Sequence, residues 1–254
     1  MASNMTRFLL TVLVGLIQHT TSAQDNVDVD LPLPRTTYLG RTIAPTMSYI
    51  GADWLLRKER QEEENCSFML QNLGAKSGMT VCDMGCGNGF YAIQLAHLVG
   101  EQGKVLAVDI QPEMLTLLRA RAEKENINNV RPVLGTVVDP GLPANQVDLI
   151  LCVDVYHEFS HPEYMLRRMR KALSPEGLIV LVEFREEDPL VPIKRLHKMS
   201  HQQIMKELLA NGFQLSRQFD GLPWQHMLFF GRNDNWQPAA NDSQDANSNR
   251  ARQE

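Results

Sequence analysis

One stretch limits the fold of this chain more than any other: V-C-D-M-G-C-G-N-G-F, from Val81 to Phe90. A short apolar strand ends at an acid, Asp83, and three glycines then alternate with other residues before an apolar helical pattern opens at Phe90. Glycine serves where the backbone needs positive φ or must let a ligand come close. A glycine-rich turn between a strand and a helix is typical of an α/β sheet that binds a nucleotide-like ligand over that turn.

The spacing of these glycines, G-x-G-x-G, differs from the G-x-G-x-x-G of dinucleotide-binding folds. The position that the dinucleotide fingerprint reserves for its third glycine holds Phe90. Asp83 would repel a pyrophosphate, and it suits a cationic ligand instead. A plain tight turn between strand and helix is the alternative, so the residues downstream have to decide.

Downstream of this turn, apolar runs and helical patterns alternate as in a parallel sheet. We predict strands at 80–83, 104–108, 130–134, 147–153 and 178–184, helices at 90–99, 111–125 and 162–173, and a last helix from a Ser200 cap to about Leu209. The final runs, 213–219 and 224–230, predict an antiparallel hairpin. The pattern over Met47–Leu73 predicts a helix whose charged middle is either a solvated face or part of a lid over a ligand pocket.

Acidic residues follow two further strands on the side where doubly wound sheets bind their ligands. Asp109 closes the second strand, where a carboxylate can accept hydrogen bonds from both ribose hydroxyls. Asp154 begins the run D-V-Y-H-E-F after the fourth strand, 147–153. That strand is almost wholly apolar, as a strand buried on both faces should be. The run is therefore expected to point into the crevice.

Together with the terminal hairpin, Asp83 and the three glycines resemble the first motif of class I S-adenosylmethionine-dependent methyltransferases. The resemblance runs from about Gly40 to Arg232. It is nearest to small-molecule enzymes of the ubiquinone/menaquinone-biosynthesis type, and within them the chain looks like a group of exported bacterial methyltransferase-like proteins. The nearer likeness is carried by V-D-I-Q-P-E-M-L (108–115), D-V-Y-H-E-F (154–159) and P-I-K (192–194).

The resemblance implies an α/β, Rossmann-like fold with a seven-stranded, mostly parallel, doubly wound sheet that ends in an antiparallel hairpin. It implies S-adenosylmethionine as the cofactor and a small-molecule acceptor that receives the methyl group by in-line displacement. The cofactor-binding residues that it implies are Asp83, Gly85, Cys86, Gly87, Asn88, Gly89, Asp109, Ile110, Asp139 and Asp154. Asp139 would accept the adenine amino hydrogen, although an Asp before Pro is also a common turn former.

Methyl transfer needs aligned reactants and a deprotonated acceptor. His157 is placed to act as the base or to orient the acceptor, with a structural hydrogen bond as the alternative. Tyr156 would line the sulfonium pocket or steer the acceptor with its hydroxyl. The candidates for the acceptor wall are Arg185, Lys194, His197 and His226, whose charge suits an anionic or phenolic acceptor. A solvated loop is the alternative for the charged segment that contains the first three.

Two histidine pairs have the i,i+4 spacing that can place two metal ligands on one helix face: His157 with His161, and His197 with His201. Pro162 disfavours a helix through the first pair. We therefore predict no metal site. The four cysteines fall in or beside predicted core elements and are expected to be free and buried.

The first residues carry the layout of a secretory signal peptide: Arg7, an apolar run over 8–17, and small residues before a cleavage point after Ala23. We expect export with residues 1–23 removed; a membrane anchor or a cytoplasmic protein is the alternative. Residues 24–45 predict a linker that lies on the domain or stays mobile. Residues 46–232 then form the methyltransferase domain, and residues 233–254 form a disordered tail.

The net charge of −5, without a basic run, argues against a nucleic-acid partner. The expected partner is a small-molecule acceptor, with no stable membrane association after signal cleavage. Two other functions compete. A binding protein that kept the fold but lost turnover is favoured by export, because S-adenosylmethionine is not expected outside the cytoplasm. An NAD(P)-dependent oxidoreductase is opposed by the missing third glycine, by Asp83 and by the terminal hairpin.

Overall fold

The computed structural model describes residues 32–237. The expected signal peptide, 1–23, lies outside these residues, as do the start of the expected linker and most of the expected tail. Residues 34–237 belong to one compact unit. Within the described range, no helix has both the length and the apolar character needed to cross a membrane.

The elements fall into an N-terminal group and an alternating α/β group. The first group contains β1 (Thr37–Tyr38), β2 (Arg41–Thr42), a 3-10 helix (Tyr49–Leu56), α1 (Arg60–Glu64) and α2 (Cys66–Leu73). The second begins with β3 (Thr80–Met84), α3 (Phe90–Val99), β4 (Lys104–Asp109), α4 (Pro112–Lys124), β5 (Val130–Leu134) and β6 (Val147–Val153). It continues with a 3-10 helix (Tyr156–Glu158), α5 (Pro162–Ala172), β7 (Leu173–Arg185), a 3-10 helix (Arg195–His197), β8 (Lys198–Met199), α6 (His201–Ala210), β9 (Phe213–Phe219) and β10 (Gln225–Arg232).

The main sheet has the order β5-β4-β3-β6-β7-β10-β9. Strands β3 to β7 are parallel, whereas β10 runs antiparallel to both β7 and β9. This arrangement confirms the predicted doubly wound sheet with its terminal hairpin. An eighth strand that was not predicted, β8, pairs with the end of β7 beyond the last residue of β6. The strand order reverses between β3 and β6, which opens a crevice at their carboxyl ends.

Apolar side chains on both faces of β6 and β7 explain why these strands lie in the middle of the sheet. Two buried clusters, one on each face, take up alternate residues of these strands. The predicted bounds of β5, β6, β9 and α3 agree with the structure. Strand β7 starts earlier than predicted because Leu173 already pairs with Val147. The register then shifts, so that Ser174–Gly177 bulges out of the ladder before Leu178 pairs with Leu149.

The continuous helix predicted over Met47–Leu73 is wrong. Asn65 adopts a left-handed φ of 51° between α1 and α2, which breaks the helix at that point. The charged middle is a solvated face only in part: Lys58, Glu59 and Glu62 are exposed, whereas Arg60 and Glu64 are 4% and 1% exposed. Arg60 Nε donates to Glu64 Oε2 at 2.8 Å, and the Arg60 guanidinium lies over the ring of Phe90. These contacts hold the N-terminal group against the start of α3.

Residues 35–44 lie on the domain, which is one of the two alternatives for the expected linker. Arg41 forms a buried ion pair with Glu207, with 2.6 Å between Nε and Oε1. Its Nη1 and the backbone N–H of Ala44 both donate to the carbonyl oxygen of His157, at 2.9 and 3.1 Å. We call residues 35–44 the N-terminal strap.

The first residues of the expected disordered tail are ordered. The Asn233 backbone N–H donates to the carbonyl of Gly212, and Arg170 Nη2 donates to the carbonyl of Asn233. The Trp236 ring packs on the Arg170 guanidinium. The ordered domain therefore extends beyond Arg232.

Candidate active site

A cavity of about 590 Å³ opens in the crevice at the carboxyl ends of the central strands. The N-terminal group supplies one wall, with Thr46, Met47, Gly51, Trp54, Leu55 and Arg60. The sheet and its loops supply the rest, including Gly85, Gly87, Asp109, Ile110, Thr136, Val137, Asp154, His157, Glu158, Phe159, Phe184, Ile193, Lys194 and His197. Its volume and its mixture of apolar walls with a few polar groups are typical of a small-molecule site.

The glycine turn after β3 forms the floor of this cavity. Gly85 and Gly87 have φ values of 68° and 52°, in the left-handed region that favours glycine. A Cβ on Gly85 would lie 2.3 Å from a Val155 methyl, and a Cβ on Gly87 would lie 2.6 Å from a Leu55 methyl. The turn therefore accepts no side chain at these two positions, and backbone forms the surface that faces a ligand.

Two buried carboxylates near this floor each have an oxygen atom without a hydrogen-bond partner: Asp83 Oδ2 and Asp154 Oδ1. Burial raises the pKa of Asp83 to about 7 and raises the pKa of Asp154 well above its ordinary range. The other oxygen of Asp154 accepts from Gln225 Nε2 at 2.8 Å. Unsatisfied buried carboxylates are costly, and a cationic ligand in the cavity would satisfy Asp154, which lines it. The charge and shape of this end therefore fit the cationic cofactor that the sequence implies.

Asp109 closes β4 and lines the cavity, as the sequence predicts. Its Oδ2 accepts the backbone N–H of Gly87, and its Oδ1 accepts that of Gln111, both at 2.9 Å. Burial raises the pKa of Asp109, and these backbone hydrogen bonds oppose the rise. They also fix the carboxylate in one orientation, with further acceptor capacity for the hydroxyls of a ribose.

Five residues expected to bind the cofactor are absent from the cavity lining: Asp83, Cys86, Asn88, Gly89 and Asp139. Asp139 accepts the backbone N–H of Gly141 and pairs with Arg168 at the surface, which supports the turn-forming alternative over the adenine contact. Thr136 and Val137 line the cavity near that point instead. Cys86 is buried, and Asn88 Nδ2 donates to the carbonyl of Ala52, so Asn88 fastens the glycine turn to the N-terminal group.

At the other end of the cavity, three side chains form a hydrogen-bonded row. Glu183 is fully buried within β7, and its Oε2 lies 2.6 Å from His157 Nδ1. His157 Nε2 in turn lies 3.0 Å from His197 Nδ1. The second Glu183 oxygen accepts the backbone N–H of Tyr156 at 2.8 Å, which fixes the carboxylate. Two imidazoles backed by a carboxylate can accept, hold and pass on a proton.

Glu158 and His197 share this end of the cavity. Burial raises the pKa of Glu158 to about 7, while the nearby His157 opposes the rise. Both oxygens of Glu158 accept the backbone N–H of Met47 at 3.2 Å. Burial lowers the pKa of His197, and His157 and Lys194 add to the effect.

Three residues predicted for catalysis or the acceptor wall lie elsewhere. The Tyr156 ring is fully buried away from the cavity, and its hydroxyl donates to Glu207 at 2.7 Å. Arg185 donates to the carbonyls of Pro223 and Asp220 and holds the β9–β10 turn. His226 contacts Glu187, with 2.9 Å between Nε2 and Oε2. Of the predicted acceptor wall, Lys194 and His197 do line the cavity.

Sequence reasoning missed Glu183. A single glutamate inside the apolar run of β7 was an available signal for it, because an unpaired carboxylate is rarely buried. The N-terminal wall agrees with the lid alternative for Met47–Leu73, since Trp54, Leu55 and Arg60 line the cavity. Which of its side chains face the cavity depends on how the segment folds back over the sheet.

The chain matches a family model described as a methyltransferase domain over residues 75–239, more than half of its length. It is also similar to the ubiquinone/menaquinone biosynthesis C-methyltransferase of Shewanella baltica (strain OS155 / ATCC BAA-1091), with 30% identity over 118 residues. That match covers 46% of this chain and 47% of the relative, so the chain spans about half the length of the curated relative that it matches.

Solved structures show the same fold. A SAM-dependent methyltransferase from Aquifex aeolicus is 26% identical with a TM-score of 0.69, over 73% of this chain and 98% of that chain. A putative O-methyltransferase from Nostoc punctiforme PCC 73102 has a TM-score of 0.60 at 16% identity, over 72% of this chain and 59% of that chain. The second likeness concerns the fold alone.

Proposed function

The chain belongs to the family of methyltransferase domains, and on that premise we propose that it transfers the methyl group of S-adenosylmethionine to a small apolar acceptor with an ionisable hydroxyl. When bound, S-adenosylmethionine supplies an electrophilic methyl carbon. The observation that carries the proposal is the row Glu183–His157–His197, which reaches the cavity that Asp154 and the glycine turn also border.

The glycine-turn end of the cavity holds the cofactor. Asp109 offers its oriented carboxylate to the ribose, and the floor at Gly85 and Gly87 leaves room for the ligand to lie against backbone. Asp83 and Asp154 supply negative potential to a ligand that carries positive charge. The same two carboxylates make this end unsuitable for a pyrophosphate, which argues against the nicotinamide oxidoreductase.

The histidine end holds the acceptor. Its apolar surface comes from Met47, Phe159, Phe184 and Ile193, and its cationic group is Lys194. Such a wall suits a planar phenol- or enol-type molecule, whose ionised form is attracted by the ammonium. The Shewanella relative is named for ubiquinone and menaquinone biosynthesis, and an acceptor of quinone-like size and polarity fits the same wall.

His157 and His197 act on the proton of the acceptor hydroxyl. With the Nδ1 proton of His157 donated to Glu183, the lone pair on Nε2 is directed toward His197 and the cavity. The acceptor proton passes to this pair of imidazoles, and the buried Glu183 carboxylate stabilises the positive charge that results. The contact between the two imidazoles supports a pair of histidines in proton handling, where the sequence had singled out His157 alone.

Variants of the row test the proposal. We expect His157→Asn and Glu183→Gln to lower kcat on hydroxylated aromatic acceptors by roughly 10²- to 10⁴-fold, with calorimetric affinity for S-adenosylhomocysteine unchanged. His226→Asn is the matched control, because that histidine also contacts a glutamate but lies outside the cavity lining. Unchanged turnover in His157→Asn removes the row from the mechanism. If the wild-type protein binds S-adenosylhomocysteine but methylates no phenol, quinol, thiol or amine, it is a binding protein. If it binds NAD and not S-adenosylhomocysteine, the result supports the oxidoreductase alternative.

We also propose export by the segment 1–23, supported by Arg7, the apolar run 8–17 and the small residues before the cleavage point. N-terminal sequencing of protein recovered from the exported fraction should give a start near residue 24. An intact N-terminus on cytoplasmic protein contradicts export.

A further inference from the structure

Three side chains at the acceptor end of the cavity carry the donor atoms of a metal site. His157, Glu158 and His197 each offer a nitrogen or oxygen atom, and these atoms all lie within 4.8 Å of one another. All three residues line the cavity. We propose that they bind a divalent transition-metal ion of the zinc type. Two histidines and one glutamate are a ligand set of catalytic zinc sites, which leave a fourth position open to water or substrate.

The distances agree with this ion. Zinc bonds of about 2.0–2.1 Å in a tetrahedral arrangement place neighbouring ligand atoms roughly 3.3 Å apart. His157 Nε2 is 3.0 Å from His197 Nδ1 and 4.0 Å from Glu158 Oε1, so these distances fall on either side of that value. Small side-chain movements would therefore complete the coordination. Two short 3-10 helices, Tyr156–Glu158 and Arg195–His197, present the ligands from opposite sides.

The residues behind the ligands are those that a metal site requires. A histidine that binds a metal through one nitrogen typically donates the other N–H to a carboxylate or a backbone carbonyl. His157 Nδ1 lies 2.6 Å from Glu183 Oε2, which leaves Nε2 as the donor to the ion. The backbone N–H of Met47 orients Glu158 in the same way. In the metal-free protein a proton occupies the position between the two imidazoles, and the ion takes its place.

The i,i+4 spacing had paired the wrong histidines. His161 precedes α5 and contacts the Ser160 hydroxyl, and His201 contacts Gln218; neither lines the cavity. His226 and Glu187 lie 2.9 Å apart, but among the described residues no third donor atom joins this pair. The His226–Glu187 pair is therefore an internal control for a histidine and a carboxylate that do not form a site.

The chemical consequence rests on the proposed function, although the binding itself does not. The open fourth position faces the cavity, where the acceptor hydroxyl is expected. A bound cation there polarises that hydroxyl and favours loss of its proton to water. The lone pairs of His157 and His197 are then engaged by the ion, so the ion replaces them in promoting ionisation of the acceptor.

The test uses the full chain, first dialysed against chelator and then titrated with Zn²⁺ against a chromophoric chelator, and separately with Co²⁺. We expect one ion per chain in the micromolar range or tighter, and the intense visible bands of four-coordinate Co²⁺. Glu183→Gln should weaken binding by about 10- to 100-fold. The double variant His197→Asn/Glu158→Gln should abolish binding, and His226→Asn should leave it unchanged.

Absence of Zn²⁺ and Co²⁺ binding in the wild-type protein overturns the site, and so does full binding in the double variant. If the double variant fails to fold by circular dichroism, the Co²⁺ spectrum of the wild-type chain decides, because weak six-coordinate bands contradict the ligand set. Calorimetry with S-adenosylhomocysteine in excess chelator tests the proposed function separately. Metal binding without cofactor binding refutes methyl transfer and leaves the metal site standing.

Discussion

Replacing Asp83 with asparagine should remove most of a pH-dependent loss of stability. The Asp83 side chain is 3% exposed, and its Oδ2 has no hydrogen-bond partner. Burial raises its pKa from 3.8 to about 7; the backbone N–H of Ala92 and the Arg60 guanidinium oppose the rise, and the Asp109 carboxylate adds to it. The amide is close to the protonated carboxyl in shape and stays neutral at every pH.

The size of the effect follows from the difference in proton affinity between the two states. The unfolded chain releases the Asp83 proton near pH 3.8 and the folded chain only near pH 7, so stability falls as pH rises from about 4 to 7. At 1.36 kcal/mol for each pKa unit, the ionised side chain lowers the free energy of unfolding by about 4 kcal/mol above pH 8. Between pH 5 and pH 8 the change is about 3 kcal/mol.

The assay is denaturant unfolding of wild-type protein and Asp83→Asn at pH 5 and pH 8. We expect the variant to gain about 3 kcal/mol relative to wild type on going from the lower to the higher pH. Asp139→Asn is the control, because that carboxylate is at the surface and paired with Arg168. Carboxylates that do not interact with Asp83 change both proteins equally, so the difference reports Asp83 together with its coupling to Asp109.

A second measurement connects this charge to the ligand. Affinity for S-adenosylmethionine should rise between pH 6 and pH 8 in wild-type protein, because the ionised Asp83 attracts the cation. In Asp83→Asn the rise should be smaller. The reasoning is refuted if the difference in unfolding free energy between wild type and variant is the same at both pH values.

Three further outcomes follow from the structure. Arg41→Ala should destabilise the fold by about 3–5 kcal/mol in denaturant unfolding, because it leaves Glu207 in the core without its cationic partner. Arg35→Ala, at the exposed end of the strap, should cost less than about 1 kcal/mol. Equal effects of the two substitutions would contradict the argument. Asp139→Asn should leave calorimetric affinity for S-adenosylhomocysteine unchanged, and a tenfold loss would restore its adenine contact. Gly85→Ala should weaken the affinity for S-adenosylhomocysteine at least tenfold. The φ of 68° and the 2.3 Å between the added Cβ and a Val155 methyl would force the turn to move. An unchanged affinity would show that the turn adapts.

The sequence predicted the sheet well because each strand carries a local signal. The buried strand β6 is apolar except for Asp148. The hairpin of β9 and β10 is marked by Asp220–Pro223 between two runs rich in strand-forming residues. Such signals depend on neighbours in the chain. The eighth strand, β8, has two residues and exists only because β7 extends past β6, so no local pattern could indicate it.

The site was predicted where a residue follows directly from strand geometry. Asp109, Asp154 and His157 lie at strand ends, and the structure places them in the cavity. Asp139 and Tyr156 have the right chemistry and chain position, but their side chains point to Arg168 and Glu207. Side-chain direction in an irregular turn depends on which tertiary partners are nearby, and one sequence does not specify those partners.

The contact between His157 and His197 is a second case in which position along the chain did not predict the tertiary partner. These residues are 40 positions apart, on two 3-10 turns that meet only after β7 has crossed the sheet. Spacing along the chain therefore favoured the two i,i+4 pairs and gave no indication of the pair that forms.

The N-terminal wall of the cavity has a consequence for how acceptor choice changes between related chains. The family model begins at residue 75, yet Met47, Trp54, Leu55 and Arg60 face the ligand from outside that range. One wall of the binding surface can thus diverge while the sheet and its loops stay the same. Grafting residues 34–74 onto a homologous core should therefore change which acceptor is bound. A relative's substrate can be transferred to this chain only where the relative shares that N-terminal segment.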